Sequence, residues 1–323
     1  MHVSKEQTRI LKGIAIIMVL FGHLIPQFLP YADLYVPVKR MVSQLGVEIF
    51  MIISGYGVMV AYIIPEKKPA IFFAKRFVQL WPVYAFAMLA YFLMSKYLFG
   101  DNVTFQSLFL NLLWLQVFFN VQNDIYSAAH FFSALLIVYF ITFIALTVGF
   151  KRHKALVVSA GFIAVQLIYH VLFGRYIFTD YIASFSFGLF LASCISEKNT
   201  RFNYFYLLTF IFCLSDSYSL MKLLVGCAVF LLLLRILQKQ LFAAIQLRIL
   251  NIFGIYSYII YLSHNYFVWK WPQIVAEVGS KLETGGVIII ATLAWTICLF
   301  TINSLYIGKI LPSLLVQLSK RSN

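Results

Sequence analysis

The chain has 323 residues, of which 62% are hydrophobic and only 11% charged, and its mean hydropathy is +0.89. Soluble domains keep about a quarter of their residues charged, so a water-facing surface is excluded for most of this chain and lipid is its solvent. The net charge of +14 would suggest nucleic acid in a soluble protein. Basic residues retained in short cytoplasmic loops explain it better, and no polar segment interleaves aromatic with basic residues as a nucleic-acid module requires.

Apolar runs long enough to cross a bilayer cover residues 10–29, 47–64, 80–99, 128–150, 155–173, 181–196, 203–215, 219–237, 252–270 and 286–311. They are too long and unbroken for the roughly ten-residue alternating strands of a membrane barrel, which leaves helices to satisfy the backbone. The expected fold is an all-α integral membrane protein of about ten transmembrane helices. No small-residue cleavage site follows the first run, so it reads as a retained helix. A further run, 105–119, falls short of the roughly 20 residues a crossing takes and contains Gln106, Asn111 and Gln116. It reads as a re-entrant or interfacial segment.

Loop charges set the orientation. With Lys5, Arg9 and Lys12 cytoplasmic, the loop carrying Lys67, Lys68, Lys75 and Arg76 is inside as well. Keeping 105–119 from crossing returns Lys151, Arg152 and Lys154 to the inside, followed by Lys198 with Arg201, Lys239 with Arg248, and Lys320 with Arg321. Both termini are then cytoplasmic, and one outward loop, with Lys39 and Arg40, goes against the rule. Residues 1–323 read as a single domain, with Gln238–Asn251 a cytoplasmic connector. Cys194, Cys213, Cys227 and Cys298 lie in or at the ends of apolar runs without metal-ligand spacing and read as small hydrophobes.

Against this background the first run is anomalous, because it holds Lys12 and, eleven residues later, His23. An ionisable group at membrane depth is costly unless it faces a cavity or partner, so both are candidate functional residues. At about 1.5 Å per residue, His23 lies roughly 16 Å beyond Lys12, in the outer half of the bilayer. The second run opens with Gly46-Val47-Glu48 and returns in the opposite direction, which brings Glu48 toward His23. A carboxylate beside an imidazole fixes its tautomer or favours its protonated form, which suits a general base. His23 also fits a helix-packing histidine, and Glu48 a solvated helix end.

Lys75 and Arg76, ahead of Trp81-Pro82-Val83-Tyr84, suit a phosphate or pyrophosphate and equally suit lipid headgroups. Ser257, Tyr261 and His264 recur at helical spacings of four and three as one polar stripe. Such a stripe lines a cavity or packs against a neighbouring helix.

In order along the chain, these blocks resemble those of the acyltransferase 3 family, bacterial integral membrane O-acyltransferases. The first-helix basic residue and histidine resemble Lys12 and His23. Gly46-Val47-Glu48-Ile49-Phe50-Met51-Ile52-Ile53-Ser54-Gly55-Tyr56 resembles the second-helix block, Lys75 to Tyr84 the basic loop, and Ser257 to His264 the late Ser-Tyr-x-x-Tyr-Leu-x-His block. The resemblance runs from Leu11 to about His264. It implies that His23 is the catalytic histidine, Glu48 the second-helix carboxylate, and Arg76 the first arginine of the loop. Lys12 and Gln79 stand where the family usually carries arginine.

The implied function is transfer of an acyl group, usually acetyl, from cytoplasmic acyl-CoA to a hydroxyl of a surface or capsular polysaccharide or a lipid-linked sugar. The expected location is the plasma or inner membrane. Acetyl-CoA is then a co-substrate, held by Arg76, Lys75 and Lys12. No permanently bound cofactor, metal or nucleic acid is expected. Ser54, Tyr84, His130, Ser257, Tyr261 and His264 are candidates to line the acceptor cavity. A glycan exporter or flippase using the same polar cavity is the alternative, since intramembrane His, Glu and Lys also mark transport paths.

Overall fold

The computed structural model describes residues 3–28, 32–66, 68–116, 118, 125, 129–148, 154–173, 179–195, 204–212, 217–239, 244–278, 281–310 and 312–313. Their regular structure is helical throughout: α1 (Lys5–Phe28), α2 (Ala32–Val58), α3 (Pro69–Leu93), α4 (Phe105–Leu112), α5 (Ala129–Val148), α6 (Lys154–Phe173) and α7 (Thr179–Ile195) are followed by α8 (Tyr204–Phe212), α9 (Ser217–Gln238), α10 (Ala244–Ser263), α11 (Tyr266–Trp269), α12 (Trp271–Val278) and α13 (Lys281–Leu305). Six stretches among the described residues are long and apolar enough to cross a membrane: Met41–Ile63, Pro69–Leu98, Ala129–Val148, Lys154–Phe173, Ala244–Trp269 and Gly285–Gly308. Asp180–Cys194 and Leu224–Gln238 are shorter apolar helices.

Two pairs of basic residues expected in loops lie on helices. Lys39 and Arg40 ride on α2, which begins at Ala32 and places Glu48 well inside the helix instead of at its start. Lys75 and Arg76 lie on α3, which opens at Pro69. Proline suits a first helical position because its fixed φ is already helical and its missing N–H would have no helical partner there. Charges at the end of an apolar run do not stop a helix, since long basic side chains extend along it toward water.

The segment expected to be re-entrant or interfacial contains an eight-residue helix, α4. Thr104 caps it, its Oγ1 accepting from the Ser107 N–H at 3.1 Å. Phe105 starts beside Phe92 of α3, ring centroids 5.1 Å apart. At the other end, the Leu112 carbonyl accepts from Trp81 Nε1 at 3.0 Å and the Asn111 carbonyl from the Tyr84 hydroxyl at 3.0 Å. The eight-residue helix is about 12 Å long and runs back along α3 from Phe92 toward Trp81.

The described chain forms two compact units. The first comprises Met1–Val19, Arg40–Phe73 and Ile137–Ile255. Its helices meet at glycines. A Cβ at Gly55 would stand 2.0 Å from the Phe185 carbonyl oxygen and one at Gly188 2.1 Å from that of Ile52, so α2 and α7 cross with backbones in contact. Gly13 against Leu250 and Gly254 against Arg9 do the same for α1 and α10. Small residues permit this approach, and without a hydrophobic drive between helices in lipid, close contact is what holds them.

The second unit comprises Leu20–Lys39, Ala74–Leu136 and Tyr256–Asn323. Buried aromatics join α3 to the C-terminal helices. Tyr91 stacks on Tyr266 with centroids 4.2 Å apart, donates its hydroxyl to the Leu262 carbonyl at 2.6 Å, and accepts from Trp295 Nε1 at 2.7 Å. Ser95 shares a 2.9 Å hydrogen bond with the Tyr266 hydroxyl.

Candidate active site

The break between α10 and α11 positions the most distinctive polar side chain of the second unit. α10 stops at Ser263 and α11 resumes at Tyr266, so His264 and Asn265 lie in the interruption. Tyr91 holds the carbonyl of Leu262, and Ser263 Oγ is 2.7 Å from Thr296 Oγ1 of α13. His264 is therefore fixed by its neighbours. Its Nδ1 is 2.7 Å from the Tyr261 carbonyl oxygen. A carbonyl only accepts, so Nδ1 carries the proton, and the neutral ring presents Nε2 as an acceptor. That Nε2 is buried and has no hydrogen-bond partner among the described residues.

The ring of His23 stands 5.1 Å from that of His264, centroid to centroid, with planes at 77°. Tyr261 meets His264 edge-on at 5.2 Å and continues the cluster to Phe131 at 4.9 Å and Phe132 at 5.1 Å. Phe132 in turn contacts Tyr258 at 5.0 Å and Tyr84 at 6.2 Å. The result is a pair of imidazoles at one end of an aromatic wall. One ring has a set tautomer and a buried Nε2 that meets no donor among the described residues, and the other is only half-buried. Two imidazoles can take a proton from a bound hydroxyl and return it, and the aromatic faces suit a sugar ring or an acyl chain.

Of the residues expected from sequence, the structure brings His23, Tyr261 and His264 together and links Tyr84 to them through Phe132. Ser257 is buried on α10, and half-buried His130 occupies the first turn of α5 next to Phe131. Lys75 and Arg76 share the second turn of α3, Lys75 exposed and Arg76 half-buried. Lys12, Glu48 and Ser54 belong to the first unit. Ser54 donates to the Phe50 carbonyl one turn back at 2.7 Å, as a hydroxyl inside a helix does. Glu48 is fully buried.

Sequence reasoning missed the aromatic wall, because Phe131, Phe132 and Tyr258 are three among 53 Phe and Tyr residues. It also missed the ion pair between Lys270 and Asp101. Gln273 Nε2 donates to the other Asp101 oxygen at 2.9 Å, and the Lys270 ammonium stands over the rings of Trp269 and Phe99 at 4.7 and 5.2 Å. Partial burial pushes the Asp101 carboxyl up. The hydrogen bonds from Lys270 and Gln273, with the lysine's charge, outweigh that and hold it below its usual value. Opposite charges at the ends of two apolar runs were the available signal.

A family model described as an acyltransferase domain, that of acyltransferase 3, matches residues 9–307. No curated protein and no solved structure matches the chain.

Proposed function

The chain belongs to the acyltransferase 3 family, and from that premise we propose that it is a multi-pass O-acyltransferase of the plasma or inner membrane. In this reading it moves an acyl group, most simply acetyl, from cytoplasmic acyl-CoA to a hydroxyl of a surface or capsular polysaccharide or a lipid-linked sugar. The observation that carries the reading is the edge-on pair of His23 with a tautomer-fixed His264.

His23 takes the proton of the acceptor hydroxyl as its oxygen attacks the thioester carbonyl. The carbon–sulfur bond then breaks, and the proton passes from the imidazolium to the departing CoA sulfur. The ester and free CoA-SH are the products, and no redox partner is needed. His264 keeps an acceptor beside a ring that must hold a proton in transit, and Tyr261 with Phe131 and Phe132 forms the wall against the acceptor.

Lys75 and Arg76 supply the positive charge for CoA phosphates. Lys12 is assigned to the same ligand through the family's first-helix basic residue, and Glu48 is the family's carboxylate. Ten spans with both termini cytoplasmic, and 105–119 dipping into the membrane beside α3, complete the reading. The course of α4 back along α3 supports that last element.

Purified protein incubated with labelled acetyl-CoA and the host glycan tests the function. Label on a glycan hydroxyl is the expected result. Glycan crossing a liposome without gaining label would identify an exporter or flippase instead.

A further inference from the structure

Among the described glycines of the first unit, Gly57 faces open space and Gly161 makes only ordinary side-chain contacts at 3.5 Å and beyond, while six others stand where an added Cβ would clash. Side chains added at Gly13, Gly46, Gly55, Gly188 and Gly254 would each strike the backbone carbonyl of a crossing helix, at 1.8 to 2.5 Å. Those glycines set how closely helices approach. Gly226, on α9, is different. Its added Cβ would stand 2.0 Å from Glu48 Oε2, 3.2 Å from Glu48 Cδ and 3.5 Å from Glu48 Cβ, and no backbone atom is among these three nearest neighbours. The space a side chain would fill at position 226 is occupied by a carboxylate.

Glu48 is fully buried on α2, and one turn earlier Gln44 Nε2 donates to Asp180 Oδ2 at 3.0 Å. Its neighbouring turn is thus tied to α7, while its own carboxylate lies against the bare Cα of α9. Glycine disfavours a helix interior relative to alanine, and the three atoms nearest an added Cβ at 226 all belong to the Glu48 side chain. We propose that Gly226 is a positioning residue: α9 omits a side chain at this point so that the Glu48 carboxylate is seated in one place. This rests on the reading of Glu48 as the family's functional carboxylate, and it adds a residue that none of the sequence motifs contains.

Alanine at 226 probes this selectively, because the atom it strikes is the far end of a flexible side chain. The backbone can stay in place while the carboxylate moves. Aspartate at 48 retracts the carboxylate by one carbon–carbon bond, about 1.5 Å, which opens room for the new methyl. Gly226→Ala should reduce the acyl-transfer rate about 100-fold, the scale of a 1 Å misplacement in a catalytic constellation. Glu48→Asp moves the carboxylate and lowers the rate by itself, so each alanine variant is compared with its own Gly226 parent. Gly226→Ala should cost at least about tenfold less with Asp at 48 than with Glu, whereas a glycine needed only for helix contact would cost the same in both.

The four proteins, wild type, Gly226→Ala, Glu48→Asp and the double variant, are also compared by thermal unfolding in detergent, which needs no activity. There the cost of Gly226→Ala should be smaller with Asp at 48 than with Glu. If the wild type transfers no acyl group, the functional reading fails on its own arm and the unfolding cycle decides the contact. A Gly226→Ala protein with wild-type transfer overturns the proposal. So does strict additivity of the two substitutions in the transfer rates or in the unfolding cycle.

Discussion

Tyr91→Phe removes a single buried oxygen on which the α10–α11 break depends. The hydroxyl donates to the Leu262 carbonyl at 2.6 Å and accepts from Trp295 Nε1 at 2.7 Å, and Tyr91 is fully buried, so water cannot take its place. In isolation an unsatisfied polar group in hydrocarbon costs several kcal/mol. Measured hydrogen bonds in membrane proteins average about 0.6 and reach about 1.7 kcal/mol, because the unfolded chain also finds partners. Two such bonds lost together give about 1–3 kcal/mol. At about 2.1 cal/mol/K of unfolding entropy per residue, that lowers the midpoint of thermal unfolding of a 323-residue chain by roughly 1.5–4.5 °C. The comparison is between wild type, Tyr91→Phe and Trp295→Phe in one detergent. The tryptophan variant breaks only one of the two bonds, but it also loses ring contacts with Tyr91 and Phe86. Because the break holds His264, transfer activity should fall with stability in Tyr91→Phe. A Tyr91→Phe protein that unfolds at the wild-type temperature refutes the account of how His264 is held.

The two nitrogens of His264 are separable by substitution. Asparagine can keep the donor to the Tyr261 carbonyl but has nothing at the Nε2 position, whereas glutamine reaches that position. Steady-state transfer should fall about 100-fold in His264→Asn and less in His264→Gln, and equal losses would show that Nε2 has no role. The Asp101–Lys270 pair makes a pH prediction. Asp101 has a folded-state pKa below its unfolded value, so its stabilisation is fully present above about pH 4 and is lost as pH falls through the lower folded value. Thermal stability should therefore show no Asp101 contribution to its slope between pH 5 and 7, and Asp101→Asn should reduce the acid-side fall. Asp101→Ala leaves Lys270 buried without its carboxylate and should cost about 3 kcal/mol or more, while replacing both residues by apolar ones should cost much less.

Much of this arrangement was legible in the chain because each signal was local. The eleven-residue interval from Lys12 to His23 is a spacing within one helix, and α1 runs through both residues. The length and polar content of 105–119 set it apart from the longer apolar runs, and within it α4 is a helix of eight residues. Boundaries were misread where charge was taken for loop. Lys39, Arg40, Lys75 and Arg76 all lie on helices, since a basic side chain at the end of an apolar run can reach water without ending the run.

The missed features are tertiary. Tyr91 and Leu262 are 171 residues apart, and nothing in the local pattern of α3 distinguishes Tyr91 from other aromatic residues. The role of Gly226 was hidden for the same reason, because a glycine in a membrane helix ordinarily reads as helix contact. Its distinct environment depends on a carboxylate 178 positions earlier, since 226 minus 48 is 178.

The central claim, that His23 handles the proton of an acceptor hydroxyl during acyl transfer, is tested most directly in the producing cell. Surface glycan from a strain lacking the protein, complemented with wild type or with His23→Ala at matched membrane levels, is compared by proton NMR for acetyl methyl signals. Those signals should be present with wild type and lost with His23→Ala. Undiminished acetylation in the His23→Ala strain would contradict the claim.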